Sequence, residues 1–111
     1  MDEPILLRHD SGTIATLTLN APHSFNALSD AMLAALSAEI ERLGADTSIK
    51  VVVLRAVGRA FCAGHDLKEM QAGRAAPDAG AAYFKSLFDR CGAVMMGLQA
   101  LPQPVIAQVH A

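Results

Sequence analysis

The sequence predicts an α/β fold. Three observations carry this expectation. Short apolar or alternating runs of strand length stand at residues 5–9, 14–19, 51–54 and 105–109. Longer stretches with apolar residues at helical spacing lie between them, after Ser29 and from Ala81. Turn and cap residues separate the two kinds of run. In order the elements read β-β-α-β-α-α-β. With 111 residues the chain is long enough for one domain at most.

The first two runs are joined by Asp10-Ser11-Gly12-Thr13, which predicts a hairpin. In the second, Thr16 and Thr18 alternate with Leu17 and Leu19. Asn20-Ala21-Pro22-His23 breaks the alternation and opens a loop. Ser29 is a good N-cap. Met32, Leu36, Ile40 and Leu43 then form an apolar stripe, with Glu39, Glu41 and Arg42 opposite, and Gly44 is placed to end the helix. The continuous β-branched run at 51–54 reads as a strand covered on both faces. Asp66 followed by Glu69 resembles a capping box. Residues 71–80 are rich in Gly, Ala and Pro and read as a mobile loop. A long helix over 81–101 would bury Phe84, Leu87, Phe88, Cys91, Val94, Met95 and Leu98, and Pro102-Gln103-Pro104 stops it. The last run, 105–109, reads as an inner strand.

Composition narrows the function classes. Apolar residues make up 52% and charged residues 18%, so a packed core is expected rather than disorder. Net charge is −2 and no basic run is present, which argues against nucleic acid as partner. The longest apolar region, 91–109, is interrupted by Gly92, Gly97, Pro102, Gln103 and Pro104, so a membrane span is not expected. Met1-Asp2-Glu3-Pro4 lacks the pattern of a signal peptide. Two cysteines fit a reduced, cytoplasmic setting better than a disulfide framework.

Candidate chemistry concentrates in Gly58-Arg59-Ala60-Phe61-Cys62-Ala63-Gly64-His65-Asp66-Leu67-Lys68, where a strand runs through a small-residue loop into a helix start. Small residues let a ligand approach the backbone, and a helix N-terminus offers unpaired N–H groups. One reading gives the His65 N–H to a carbonyl oxygen as an oxyanion donor; an ordinary strand-to-helix turn fits the same spacing. Cys62 has no base placed near it and reads as a structural cysteine rather than a nucleophile. The His65 side chain suits pocket lining better than general-base work. Asp66 suits a helix cap better than acid–base chemistry. Lys68 fits a phosphate contact and a solvated first-turn lysine equally. His9, His23 and His110 have no metal-ligand spacing with either cysteine, so no metal is expected.

Three segments, in this order, resemble the enoyl-CoA hydratase/isomerase family, the crotonase superfamily. They are Pro22-His23-Ser24-Phe25-Asn26-Ala27-Leu28; Ala60-Phe61-Cys62-Ala63-Gly64-His65-Asp66-Leu67-Lys68-Glu69-Met70; and Leu101-Pro102-Gln103-Pro104-Val105-Ile106-Ala107-Gln108-Val109-His110. The middle segment is the most specific, and its Gly-His-Asp-Leu-Lys-Glu form is most similar to the enoyl-CoA hydratase domain-containing branch. The resemblance implies a crotonase-like spiral of β-β-α units, with residues 1–111 as its N-terminal portion. It implies an acyl-CoA thioester as substrate, with no covalently bound cofactor. The His65 N–H would be the first oxyanion donor. Ser24, Phe25 and Ala27 would lie along the coenzyme A path. Ala63, Gly64 and Asp66 would present backbone to coenzyme A, with Ala63 meeting its adenine end. Leu67 would line the pantetheine–acyl channel, and Lys68 would supply a phosphate contact, because His23 stands where the family often has Lys or Arg.

The family's second oxyanion donor, its catalytic glutamates and its trimerisation helices lie beyond the positions matched by residue 111. The expectation is therefore hydration of a 2-enoyl-CoA by a homo-oligomeric parent, trimer or hexamer, in fatty acid metabolism, with these 111 residues inactive by themselves. The alternative is a non-catalytic coenzyme A-binding or assembly module of the same descent.

Overall fold

The computed structural model describes residues 3–111. Met1 and Asp2, part of the acidic N-terminal run, lie outside the described residues. β1 (Leu6–Ser11) and β2 (Ile14–Leu19) form an antiparallel hairpin with Leu6 opposite Leu19 and Ser11 opposite Ile14. β1 runs past the expected end at His9 because the ladder continues to Ser11. The turn contracts to Gly12 and Thr13, and Gly12 takes φ +60°. A short 3₁₀ turn (Pro22–Ser24) leads to α1 (Asp30–Ala45), and β3 (Val51–Ala56) follows. α2 (Leu67–Arg74) and α3 (Ala81–Ala100) then precede β4 (Val105–Ala107). The sheet order is β1-β2-β3-β4, with β3 parallel to both β2 and β4. Each parallel step is bridged by helix, as parallel pairing requires.

The helices close the core. Leu19, Met32, Leu33, Leu36, Leu87 and Val94 are buried where β2, α1 and α3 meet. Ala15, Leu17, Leu43, Ile49 and Val52 form a second cluster. Leu33, absent from the expected stripe, is buried because α1 packs against α3 as well as the sheet. The two helices approach closely at Gly97, where a Cβ would stand 3.1 Å from Ile40 Cγ2.

Several expectations are corrected. Gly44 lies inside α1, and the helix ends at Asp46 with extended backbone. The end carbonyls do not need a left-handed glycine: the Gln103 side chain donates to Leu43 O at 2.7 Å and Asp46 O at 3.3 Å. β3 is covered unequally: Val52 and Ala56 are buried and Val51, Val53 and Leu54 are half-buried, while Arg55, beyond the expected run, is exposed. β4 spans three residues and, among the described residues, pairs only with β3. On α3, Leu87 and Val94 are buried and Phe84, Cys91 and Leu98 partly so, but Phe88 and Met95 are exposed. The helix touches its neighbours along a narrow stripe, and these two side chains fall beside it.

The loop expected over 71–80 is largely structured. α2 continues through Arg74, and the following turn is held by Asp78. The Asp78 carboxylate accepts the Gly80 N–H at 2.9 Å and the Ala82 N–H at 3.0 Å, while Ala79 and Gly80 adopt positive φ. An aspartate capping a helix start outweighs the loosening effect of the glycines. Among the described residues, no helix is long and apolar enough to cross a membrane.

Candidate functional site

The chain leaves β3 at Ala56 and must turn at once beside the Pro22 loop. Gly58, at φ +92°, makes this possible, since a Cβ there would lie 2.7 Å from Pro22 Cβ. Asn26 fixes the approach. Its side chain is fully buried, its Oδ1 accepts the Ala21 N–H at 2.8 Å, and its Nδ2 donates to Val57 O and Ala60 O at 2.9 Å each. Phe25 and Asn26 both have left-handed backbone, φ +53° and +54°, a strain that the surrounding hydrogen bonds hold in place. The two loops then pair directly. The Ala63 N–H donates to Phe25 O at 3.0 Å and the Leu28 N–H to Gly64 O at 2.7 Å.

Gly64 has φ +97° and open space where a Cβ would be, so it is the backbone angle that requires glycine there. It sets up His65, whose N–H has no hydrogen-bond acceptor among the described residues. Asp66 caps α2, its Oδ1 accepting the Lys68 N–H at 3.0 Å and the Glu69 N–H at 3.1 Å. The His65 ring packs edge-on to Phe88, with centroids 5.8 Å apart, and its Nδ1 is buried without a partner among the described residues. Cys62 is free and packs against the main core cluster.

Ser24, Phe25, Ala27, Ala63, His65, Asp66, Leu67 and Lys68 all line one cleft of about 640 Å³. Gly64 sits in its wall between Ala63 and His65. His23 and Met70 complete the lining. Met70 is not among the residues the motif resemblance singles out; its position on the first turn of α2, three residues after Leu67, is the signal that places it there. Phe25 and Leu67 present apolar surface, 51% and 73% exposed. His23 and Lys68 are also exposed, and neither enters an ion pair among the described residues. The cleft thus joins apolar walls, a basic rim, and a free main-chain donor beside a helix N-terminus. That combination suits a long ligand with an anionic part, an apolar part and a carbonyl.

Comparison with known proteins identifies the family. The family model for enoyl-CoA hydratase/isomerase matches residues 9–111. The mitochondrial enoyl-CoA hydratase domain-containing protein 3 of Xenopus laevis is 34% identical over 96% of this chain and 35% of its own length. Its Homo sapiens counterpart is 37% identical over 87% of this chain and 30% of its own length. The chain thus spans about a third of the length of these curated relatives. The crystal structure of an enoyl-CoA hydratase from Mycobacterium smegmatis superposes with a TM-score of 0.89 at 55% identity, covering 98% of this chain and 41% of that one. Human enoyl-CoA hydratase domain-containing protein 3 gives 0.83 at 33% identity, covering 95% and 40%. The α/β sheet with its spiral connections is the crotonase fold, and the chain belongs to the enoyl-CoA hydratase/isomerase family.

Proposed function

We propose that the cleft binds an acyl-CoA thioester and that the His65 N–H holds the thioester carbonyl oxygen as it gains negative charge. The observation carrying this reading is the His65 N–H, which has no acceptor among the described residues and lies beside the N-terminus of α2 in the wall of the cleft. Such a donor favours the enolate over the ground-state thioester. Ser24, Phe25, Ala27 and Leu67 flank the pantetheine arm, with Ala63, Gly64 and Asp66 presenting backbone. Lys68 meets a phosphate, in place of the basic residue that His23 replaces. The chemistry proposed for the whole protein is addition of water across the double bond of a 2-enoyl-CoA.

A second reading, a non-catalytic coenzyme A-binding or assembly module, has its own support. Among the described residues, Asp66 is the only carboxylate lining the cleft, and it is engaged in capping two N–H groups. The described residues thus give the cleft no free acid–base pair, and the 111 residues by themselves are expected to be inactive. A homo-oligomer is proposed for the whole protein, trimer or hexamer as the resemblance implies, with the exposed Met96, Ile106 and Val109 as apolar surface for partners to cover. The unpaired cysteines support a reducing compartment, and the cytoplasm is the proposed one. Coenzyme A is proposed as part of the substrate rather than as a resident cofactor.

The deciding experiment follows loss of crotonyl-CoA absorbance with the whole protein, alongside binding of coenzyme A by calorimetry. Binding with turnover supports the hydratase reading. Binding without turnover selects the module, and absence of binding removes both.

A further inference from the structure

We propose that His110 is a positioning residue, holding the loop that presents the His65 N–H. The inference rests on the thioester reading above for what that N–H does, and adds a side chain outside the cleft on which its placement depends. Beyond Ala107 the chain keeps beside β3, and the Gln108 N–H donates to Leu54 O at 2.8 Å. Two residues on, backbone pairing gives out, because β3 ends at Ala56 and Gly58 turns the chain aside at φ +92°. The His110 side chain takes over. Its Nε2 lies 2.8 Å from Gly58 O, across 52 positions of sequence. A carbonyl oxygen can only accept, so Nε2 carries the hydrogen and donates it.

Gly58 is where this loop is softest. The close approach to Pro22 requires glycine there, and glycine brings the freest backbone and no side chain to pack. Val57 O and Ala60 O are held by Asn26 Nδ2, and Gly58 O has His110 as its partner among the described residues. Three carbonyls at the root of the loop are thus held by side chains from two other segments. From that root the chain runs to Ala63 and Gly64, bonded to the opposing loop, and then to His65. His110 does not line the cleft, so it acts through Gly58 and not on a ligand. An oxyanion donor works only when aimed, and a small displacement is costly in rate.

Hydrogen exchange of the whole protein, read by mass spectrometry, tests the tie without any ligand. His110→Phe keeps a ring and loses the donor. Segments 25–28 and 59–65 should exchange about fivefold faster than in wild type, one ordinary hydrogen bond expressed as an opening equilibrium, with β2 unchanged. His110→Gln places an amide N–H at similar reach and should restore wild-type exchange. On crotonyl-CoA the phenylalanine variant should lose about tenfold in kcat at unchanged KM, less than for a donor removed outright, and the glutamine variant should recover it. If the phenylalanine variant does not fold, His110→Ser carries the same comparison. Unchanged exchange, equal acceleration in β2, a glutamine variant no better than phenylalanine, or faster exchange with kcat unchanged each overturns the proposal. If the wild-type protein does not turn over crotonyl-CoA, the thioester reading falls, and exchange alone decides whether His110 holds the loop.

Discussion

Glu69 on α2 caps a different helix from its own: its Oε1 accepts the Asp30 N–H of α1 at 2.8 Å. Asp30 in turn takes a 3.0 Å bond from Arg90 of α3. Three helices therefore meet at one charged junction, and α2, which carries Leu67, Lys68 and Met70 into the cleft, is tied to both neighbours.

Glu69→Ala should accordingly cost about 1 kcal/mol, the usual value of a lost N-cap acceptor, with Glu69→Gln close to wild type. Denaturant midpoints at equal slope measure it. Equal loss in both variants would mean that charge, rather than the capping bond, matters at this junction.

The role of His65 is expected to lie in its main chain. His65→Ala keeps the N–H and should retain most turnover in the whole protein. His65→Pro removes the donor and should cost on the order of a hundredfold or more in kcat. Steady-state kinetics on crotonyl-CoA compare the two, and equal inactivity would transfer the role to the imidazole.

Asn26→Ala should be severe. It orphans the Ala21 N–H and the Val57 and Ala60 carbonyls and leaves alanine in a left-handed conformation. The cost is expected on the order of 3 kcal/mol or more, because buried partners stay unsatisfied. Asn26→Asp keeps the shape but loses both donors, and should fall between. Thermal unfolding followed by circular dichroism ranks the three; an alanine variant as stable as wild type would show that the loops hold each other without the staple.

Asp78 gives a pH dependence. Its carboxyl is held below the ordinary aspartate range, first by the Ala82 N–H and then by the Gly80 N–H. Such a group binds fewer protons folded than unfolded, so its stabilisation is complete above the unfolded value of about 4 and is lost as pH falls through the lower folded value. Asp78→Ala should therefore lower Tm at pH 7, and the gap from wild type should narrow below about pH 4. A gap constant from pH 7 to pH 3 would exclude titration of this cap.

The sequence alone determined the order of elements, because that order rests on local signals. Alternation in 14–19, the Ser29 cap, the stripe from Met32 to Leu43 and the stop at Pro102 each act within a few residues. The small-residue run into Asp66 likewise marked where the cleft would form. Pairings across long separations were decided only by tertiary structure. Asn26 looks like a loop residue until it meets Val57 and Ala60, more than thirty positions away. Glu69 satisfies a local capping pattern as well as it satisfies Asp30, and the approach of α1 chose between them. Phe88 has the spacing of a core residue, yet the narrow contact stripe of α3 leaves it open beside His65. Periodicity states which residues share a face. Which face finds a partner depends on how the sheet and helices come together, and that free energy belongs to contacts that no short window of sequence contains.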